Sequence, residues 1–106
     1  MKRKLLFVDD NADWRATLTE FLEEAEFTVT SFGNLRDAKK ASQEFDRFVV
    51  DGSISFPGDG IIWAKELLKN GKKVVVVSGG KVPQEVPHMG KEVIFQDFDR
   101  LVNLLN

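Results

Sequence analysis

Asp9 and Asp10 stand side by side directly after the apolar run Leu5–Val8, in the stretch KLLFVDDNADW. Three more apolar runs end on a polar side chain: Arg47–Val50 on Asp51, Val74–Val77 on Ser78, and Val93–Phe95 on Gln96. If these ends share one edge of a sheet, Asp9, Asp10 and Asp51 converge on a single pocket, with Ser78 and Gln96 along its other side. Three carboxylates within a few ångströms cannot all stay ionised without a counter-charge. A divalent cation removes that conflict, and an all-oxygen ligand set suits Mg²⁺, which keeps several waters and binds through one or two carboxylates plus phosphate. The chain has no cysteine and one histidine. That residue, His88, lies between Pro87 and Met89 in what reads as a short surface loop, so zinc is disfavoured.

The elements that must hold these residues follow from periodicity. Leu5–Val8 reads as a buried strand, and Asn11 is placed to cap a helix carrying Trp14, Leu18, Phe21, Leu22 and Ala25 at helical spacing. Phe27–Phe32 alternates and contains Val and Thr, as an edge strand does. Asn34 caps a second helix with Leu35, Ala38, Ala41 and Phe45 inward. Arg47–Val50 is the third strand, and a helix from about Gly60 to Asn70 ends at Gly71. Val74–Val77 and Val93–Phe95 are the fourth and fifth strands. A last helix, Asp97 to Leu105, buries Phe98, Leu101, Val102 and Leu105. Between strands four and five, Pro83 and Pro87 leave room for one helical turn at most, so the fourth helix is short or irregular.

Strands alternating with helices, continuously apolar in the middle, indicate a parallel α/β sheet covered on both faces. In such sheets ligands bind beyond the carboxyl ends of the strands, where strand order reverses. An order of 2-1-3-4-5, the flavodoxin-like doubly wound arrangement, puts strands one and three at that point.

Length and composition fit one domain over residues 1–106. The chain is 42% hydrophobic and 30% charged with a net charge of -2, which gives no basic stripe for nucleic acid. Its apolar runs are too short to cross a membrane. The basic start is followed by only about four apolar residues, short of a signal-peptide core. The cytoplasm is the expected location.

Four motifs in order resemble the receiver domain of response regulators in two-component signalling, the CheY-like family: FVDDN, FVVDGSI, PGDG and VVVVSGG. The resemblance covers essentially the whole chain. It implies that Asp51 accepts a phosphoryl group from the phosphohistidine of a sensor histidine kinase or a phosphotransfer protein. It also implies that Asp10 binds Mg²⁺ directly, Asp9 through water, and the backbone carbonyl of Ser53 supplies another ligand. Ser78 would donate its hydroxyl to a phosphoryl oxygen, with Gly79 and Gly80 letting the loop close. Such a domain is a switch acting on a downstream protein, not an enzyme beyond its own phosphoryl transfer and its reversal. A monomer or weak homodimer is expected; Trp14 and Trp63, on helices among other apolar residues, read as core or rim packing, with a dimer contact the alternative for Trp63.

The family carries a lysine followed by proline at the end of its fifth strand, and on the assignment above Gln96-Asp97 stands there. Exchanging a charged hydrogen bond for a neutral one costs on the order of 1 kcal/mol, roughly tenfold in a rate, and Lys81 or Lys91 is the candidate to swing in as a substitute. The Gln96–Asp97 peptide is expected to be trans, and Val93 falls where the family has a switch aromatic. These departures define a second reading, a degenerate receiver that binds a partner without being phosphorylated. A third, a small aspartate-dependent phosphatase of the haloacid-dehalogenase kind, wants a second aspartate two positions after Asp9, and Asn11 is there.

Overall fold

The computed structural model describes residues 3–106. Its elements, in order, are β1 (Arg3–Val8), α1 (Ala12–Glu24), β2 (Phe27–Phe32), α2 (Leu35–Ala41) with a 3₁₀ turn at Ser42–Glu44, and β3 (Arg47–Asp51). These are followed by α3 (Asp59–Lys69), β4 (Lys73–Ser78), β5 (His88–Gly90) with a 3₁₀ turn at Lys91–Val93, and α4 (Phe98–Leu105). All strand pairs are parallel, in the order β2-β1-β3-β4-β5. The sheet is the doubly wound one expected.

Period-two alternation divides the apolar strand residues between two cores. Leu6, Val8, Phe48, Val50, Val74 and Val76 pack with Ala38 of α2 and Trp63, Ala64 and Leu67 of α3. Leu5, Phe7, Val49, Val75 and Val77 pack on the other face with Leu18 and Leu22 of α1 and Leu101 and Leu105 of α4. Each large side chain so buried contributes about 1.5–3 kcal/mol. Trp63 is 5% exposed and lies edge-on to Phe48, with ring centroids 5.7 Å apart. It is a core residue, and no dimer contact is available to it.

Local chemistry explains most element ends. The Asn11 side chain accepts from the Trp14 N–H at 2.9 Å to open α1, and Asn34 does the same for Asp37 at the start of α2. Gly71, at φ 80°, supplies the left-handed residue that ends α3.

The fifth strand departs from the sequence expectation. It is His88–Gly90, five residues earlier than Val93–Phe95, and it pairs Val76 with His88 and Ser78 with Gly90. His88 is therefore a half-buried strand residue whose Nδ1 lies 2.7 Å from the Val86 carbonyl, not part of a surface loop. The run Val93-Ile94-Phe95 lies in turns; Ile94 is fully buried in the second core while its two neighbours are exposed. One buried side chain between two exposed ones imitates a strand in sequence. No helix forms between β4 and β5: residues 79–87 are loop and turn, and Val82 and Val86 fill that end of the first core.

Candidate functional site

The parallel register puts the carboxyl ends of β1 and β3 side by side, with Phe7 opposite Val49 and Val8 opposite Val50. One more step along both strands sets Asp9 beside Asp51. Their side chains follow the parity of Phe7 and Val49, so both turn toward the α1 and α4 side. Carboxylate oxygens of Asp9, Asp10 and Asp51 all lie within 4.8 Å of one another. Asp9 is fully buried, Asp51 is 6% exposed, and Asp10 is open to solvent. Asp10 and Asp51 border a cleft of about 670 Å³ that Ser53, Ser78, Lys81 and Lys91 also line, and Asp9 lies buried behind them.

Each acid is held differently. Asp9 Oδ1 accepts from the Asn11 N–H at 2.9 Å, and its carbonyl accepts from Arg15 Nη1 at 2.7 Å. Asp9 Oδ2 is buried with no aligned hydrogen bond; what faces it is the Lys91 ammonium, 3.2 Å away. Asp51 Oδ1 accepts from the Ser53 N–H at 3.3 Å, and Oδ2 lies 3.5 Å from the same ammonium. Burial, then the neighbouring Asp9 charge, push the Asp51 carboxyl from its ordinary 3.8 up to about 6, with the Ser53 N–H and Lys91 pulling against them. Burial works against the Lys91 charge as well, but Asp9 and Asp51 outweigh it and hold the ammonium above the usual lysine range.

Of the two lysines that the sequence offers as substitutes, Lys81 and Lys91, it is Lys91 whose ammonium reaches the acids. It follows Gly90 at the end of the true fifth strand, where the resemblance calls for a lysine. Gln96 lies outside this cleft and borders a separate depression with Phe95, Asp97 and Phe98. The reading of Gln96 as the lysine's replacement is corrected accordingly, and so is that of Val93, since three residues before Lys91 stands His88. The peptide after Lys91 leads to Glu92, not proline, and the described residues contain no cis peptide. The signal that would have placed Lys91 at a strand end is faint: a lysine after a glycine, behind three residues of poor strand propensity.

The loop after β3 is organised by Asp59, the first residue of α3. Its carboxylate accepts the N–H groups of Ile54, Ser55 and Phe56 at 2.7 to 3.0 Å. Although burial alone would raise this carboxyl, those bonds hold it below the usual range. Gly60 then passes so close to β3 that a Cβ there would sit 1.7 Å from the Asp51 carbonyl. Ser78 lies across the cleft, its Oγ accepting from the Gly80 N–H at 3.0 Å.

These residues fit a hard divalent cation. The ligand set is all oxygen, two of its three carboxylates are buried, and one buried oxygen, Asp9 Oδ2, has no aligned hydrogen bond.

No protein-family model matches the chain, and no curated protein matches its sequence. Solved structures do match its fold. A CheY-like response regulator receiver domain from Methylobacillus flagellatus is 21% identical, with each chain fully covered and a TM-score of 0.81. The response regulator TrrA from Thermotoga maritima, solved with Mg²⁺ and BeF, is 22% identical over 98% of this chain and 99% of its own, at TM-score 0.80. A response regulator from Burkholderia pseudomallei with a phosphorylated aspartic acid, a calcium ion and citrate is 18% identical over 99% of this chain and 67% of its own, at 0.79. The chain has the fold of response regulator receiver domains, and it carries at its switch point an acidic cluster able to hold a metal.

Proposed function

We propose that this chain is a receiver domain that accepts a phosphoryl group on Asp51 and acts as a signalling switch. The observation that carries the reading is the cradle itself: Asp51 shares it with Asp9 and Asp10, and a half-buried lysine faces two of the three acids. Asp9, Asp10, one Asp51 oxygen and the Ser53 carbonyl would hold Mg²⁺. The ion would draw off charge from the incoming phosphoryl oxygens. A carboxylate oxygen of Asp51 attacks phosphorus. The O–P bond of an acyl phosphate forms as the donor's N–P bond breaks, and the departing imidazole keeps the electron pair and takes a proton. Ser78 donates its hydroxyl to one phosphoryl oxygen and Lys91 its ammonium to another. The donor would be a histidine kinase or a phosphotransfer protein, and the phosphorylated face would be read by a downstream protein.

Incubation with Mg²⁺ and acetyl phosphate, followed by intact-mass measurement, is expected to add one phosphoryl group. Absence of that adduct in the wild-type chain, or its persistence in Asp51→Ala, overturns the reading.

A phosphorylation-independent binding module is the second reading. The observation favouring it is the helix-free crossover between β4 and β5, which rebuilds one face. Its earlier support from Gln96 and Val93 falls away with Lys91 in the cleft. Partner binding indifferent to Asp51→Asn would favour it. The phosphatase reading has less to stand on, because the Asn11 side chain is engaged in capping α1.

A further inference from the structure

Lys91 is gripped from two sides. Its ammonium faces Asp9 and Asp51, and it also lies 5.5 Å from the centre of the Trp14 ring on α1. The contacts close into a circuit. Asp9 accepts from the Asn11 N–H, Asn11 accepts from the Trp14 N–H, the Trp14 ring meets Lys91, and Lys91 returns to Asp9. The indole also packs against Phe95, with centroids 5.3 Å apart and the rings tilted, and Phe95 in turn lies 4.6 Å from the Phe21 ring centre. Trp14 also holds a buried Nε1 with no hydrogen-bond partner. An unpartnered indole N–H is a cost that Leu or Phe would avoid if the site only needed filling. What Trp offers in exchange is the most electron-rich face for a cation.

From this we propose that Trp14 is a positioning residue for Lys91, its ring keeping the ammonium over Asp9 and Asp51. The inference deepens the receiver reading in its consequence for phosphoryl transfer, while the contact itself is testable without that chemistry. It also makes Trp14 a reporter. A cation over the indole quenches its emission, and any ligand that draws Lys91 deeper into the cleft relieves the quenching.

The test uses a Trp63→Phe background, where Trp14 is the only indole of the two in the chain. In metal-free protein, Lys91→Met is expected to raise Trp14 emission; identical emission with and without the lysine overturns the contact. Adding Mg²⁺ and acetyl phosphate is expected to change emission in the parent and not in Lys91→Met. An equal change in both also overturns it. Phosphorylation, read by intact mass in the Trp63 wild-type protein, is expected to slow roughly three- to tenfold in Trp14→Leu, the worth of one partly exposed cation–π contact. Trp14→Phe should recover most of that loss, and Trp14→Leu should have no further effect once Lys91 is methionine. A Trp14→Leu protein phosphorylated at the wild-type rate, or one equally impaired in the Lys91→Met background, leaves the receiver reading standing and removes the role of Trp14. If the wild type forms no adduct, the receiver reading falls, and the metal-free comparison still decides the contact.

Discussion

At the scale of residues, the decisive group is a lysine. Its partners are two carboxylates, one fully buried, so removing the ammonium leaves a charge without compensation. Lys91→Met is expected to slow phosphorylation from acetyl phosphate at least tenfold, the loss of a charged hydrogen bond, whereas Gln96→Ala should leave the rate within about twofold. Comparing the two variants by intact mass over time decides which residue serves the cleft. Asp51 carries the complementary effect on stability. Its carboxyl is raised from 3.8 to about 6 in the folded chain, so the folded state binds the proton more tightly than the unfolded state does. Stability therefore falls as pH rises through the window between those values, and the ionised form is the costly one. The full displacement is worth up to about 3 kcal/mol, and about 1–2 kcal/mol with the solvent of an open cleft taken into account. In metal-free urea melts, Asp51→Asn is expected to be more stable than wild type by that amount at pH 7 to 8. The difference should close as pH falls below about 4. The acidic cluster was readable in sequence because each acid ends an apolar run. Lys91 was readable only as one of two substitutes, beside Lys81, because nothing in His88-Met89-Gly90 announces the strand it follows.

At the scale of elements, side-chain caps and alternation made most of the chain legible. The span of β2 and the Asn11 and Asn34 caps coincide with expectation, α2 stops at Ala41, short of the Phe45 it was expected to carry, and β1, β3, α3 and β4 differ by one or two residues at their ends. Fraying and capping account for differences of that size. The fifth strand is a different failure: it exists because β4 offers an unpaired edge, a tertiary cause invisible to local propensity. The start of α3 shows how tightly an element can press on the site. Gly60 lies against the Asp51 carbonyl, and no rotamer relieves a clash with backbone. Gly60→Ala is expected to destabilise by about 3 kcal/mol or more, or to displace β3 and abolish phosphorylation, read by thermal melts alongside the acetyl phosphate assay. An alanine at Gly79, where a Cβ meets nothing within 4 Å, is the matched control.

For the whole molecule, the two cores meet at the sheet, and the acids sit at its rim on a scaffold about 30 Å across. None of the described helices is long and apolar enough to cross a membrane. A bound divalent ion is expected to stabilise the fold as a unit. At roughly ten times its dissociation constant, Mg²⁺ adds about 1.4 kcal/mol and several degrees to the midpoint of melting. Because ion and proton compete for Asp51, that gain should grow as pH rises through about 6 and vanish in Asp10→Asn, checked by melts across a pH series. The flavodoxin-like order was legible because parallel strands buried on both faces leave long apolar runs. The crossover was less so, since Val82 and Val86 do with two side chains what a helix does with a face. That crossover has a mechanical corollary. The three residues of β5 hang on one neighbour, unroofed by any coil of helix on their approach, and the very next residue is the cation. Peeling this selvedge from the sheet withdraws Lys91 from the acids without disturbing β1 or β3. Amide exchange at Met89 and Gly90 should therefore outpace that at Val49 and Val75, and divalent ion should leave the ordering of those rates intact.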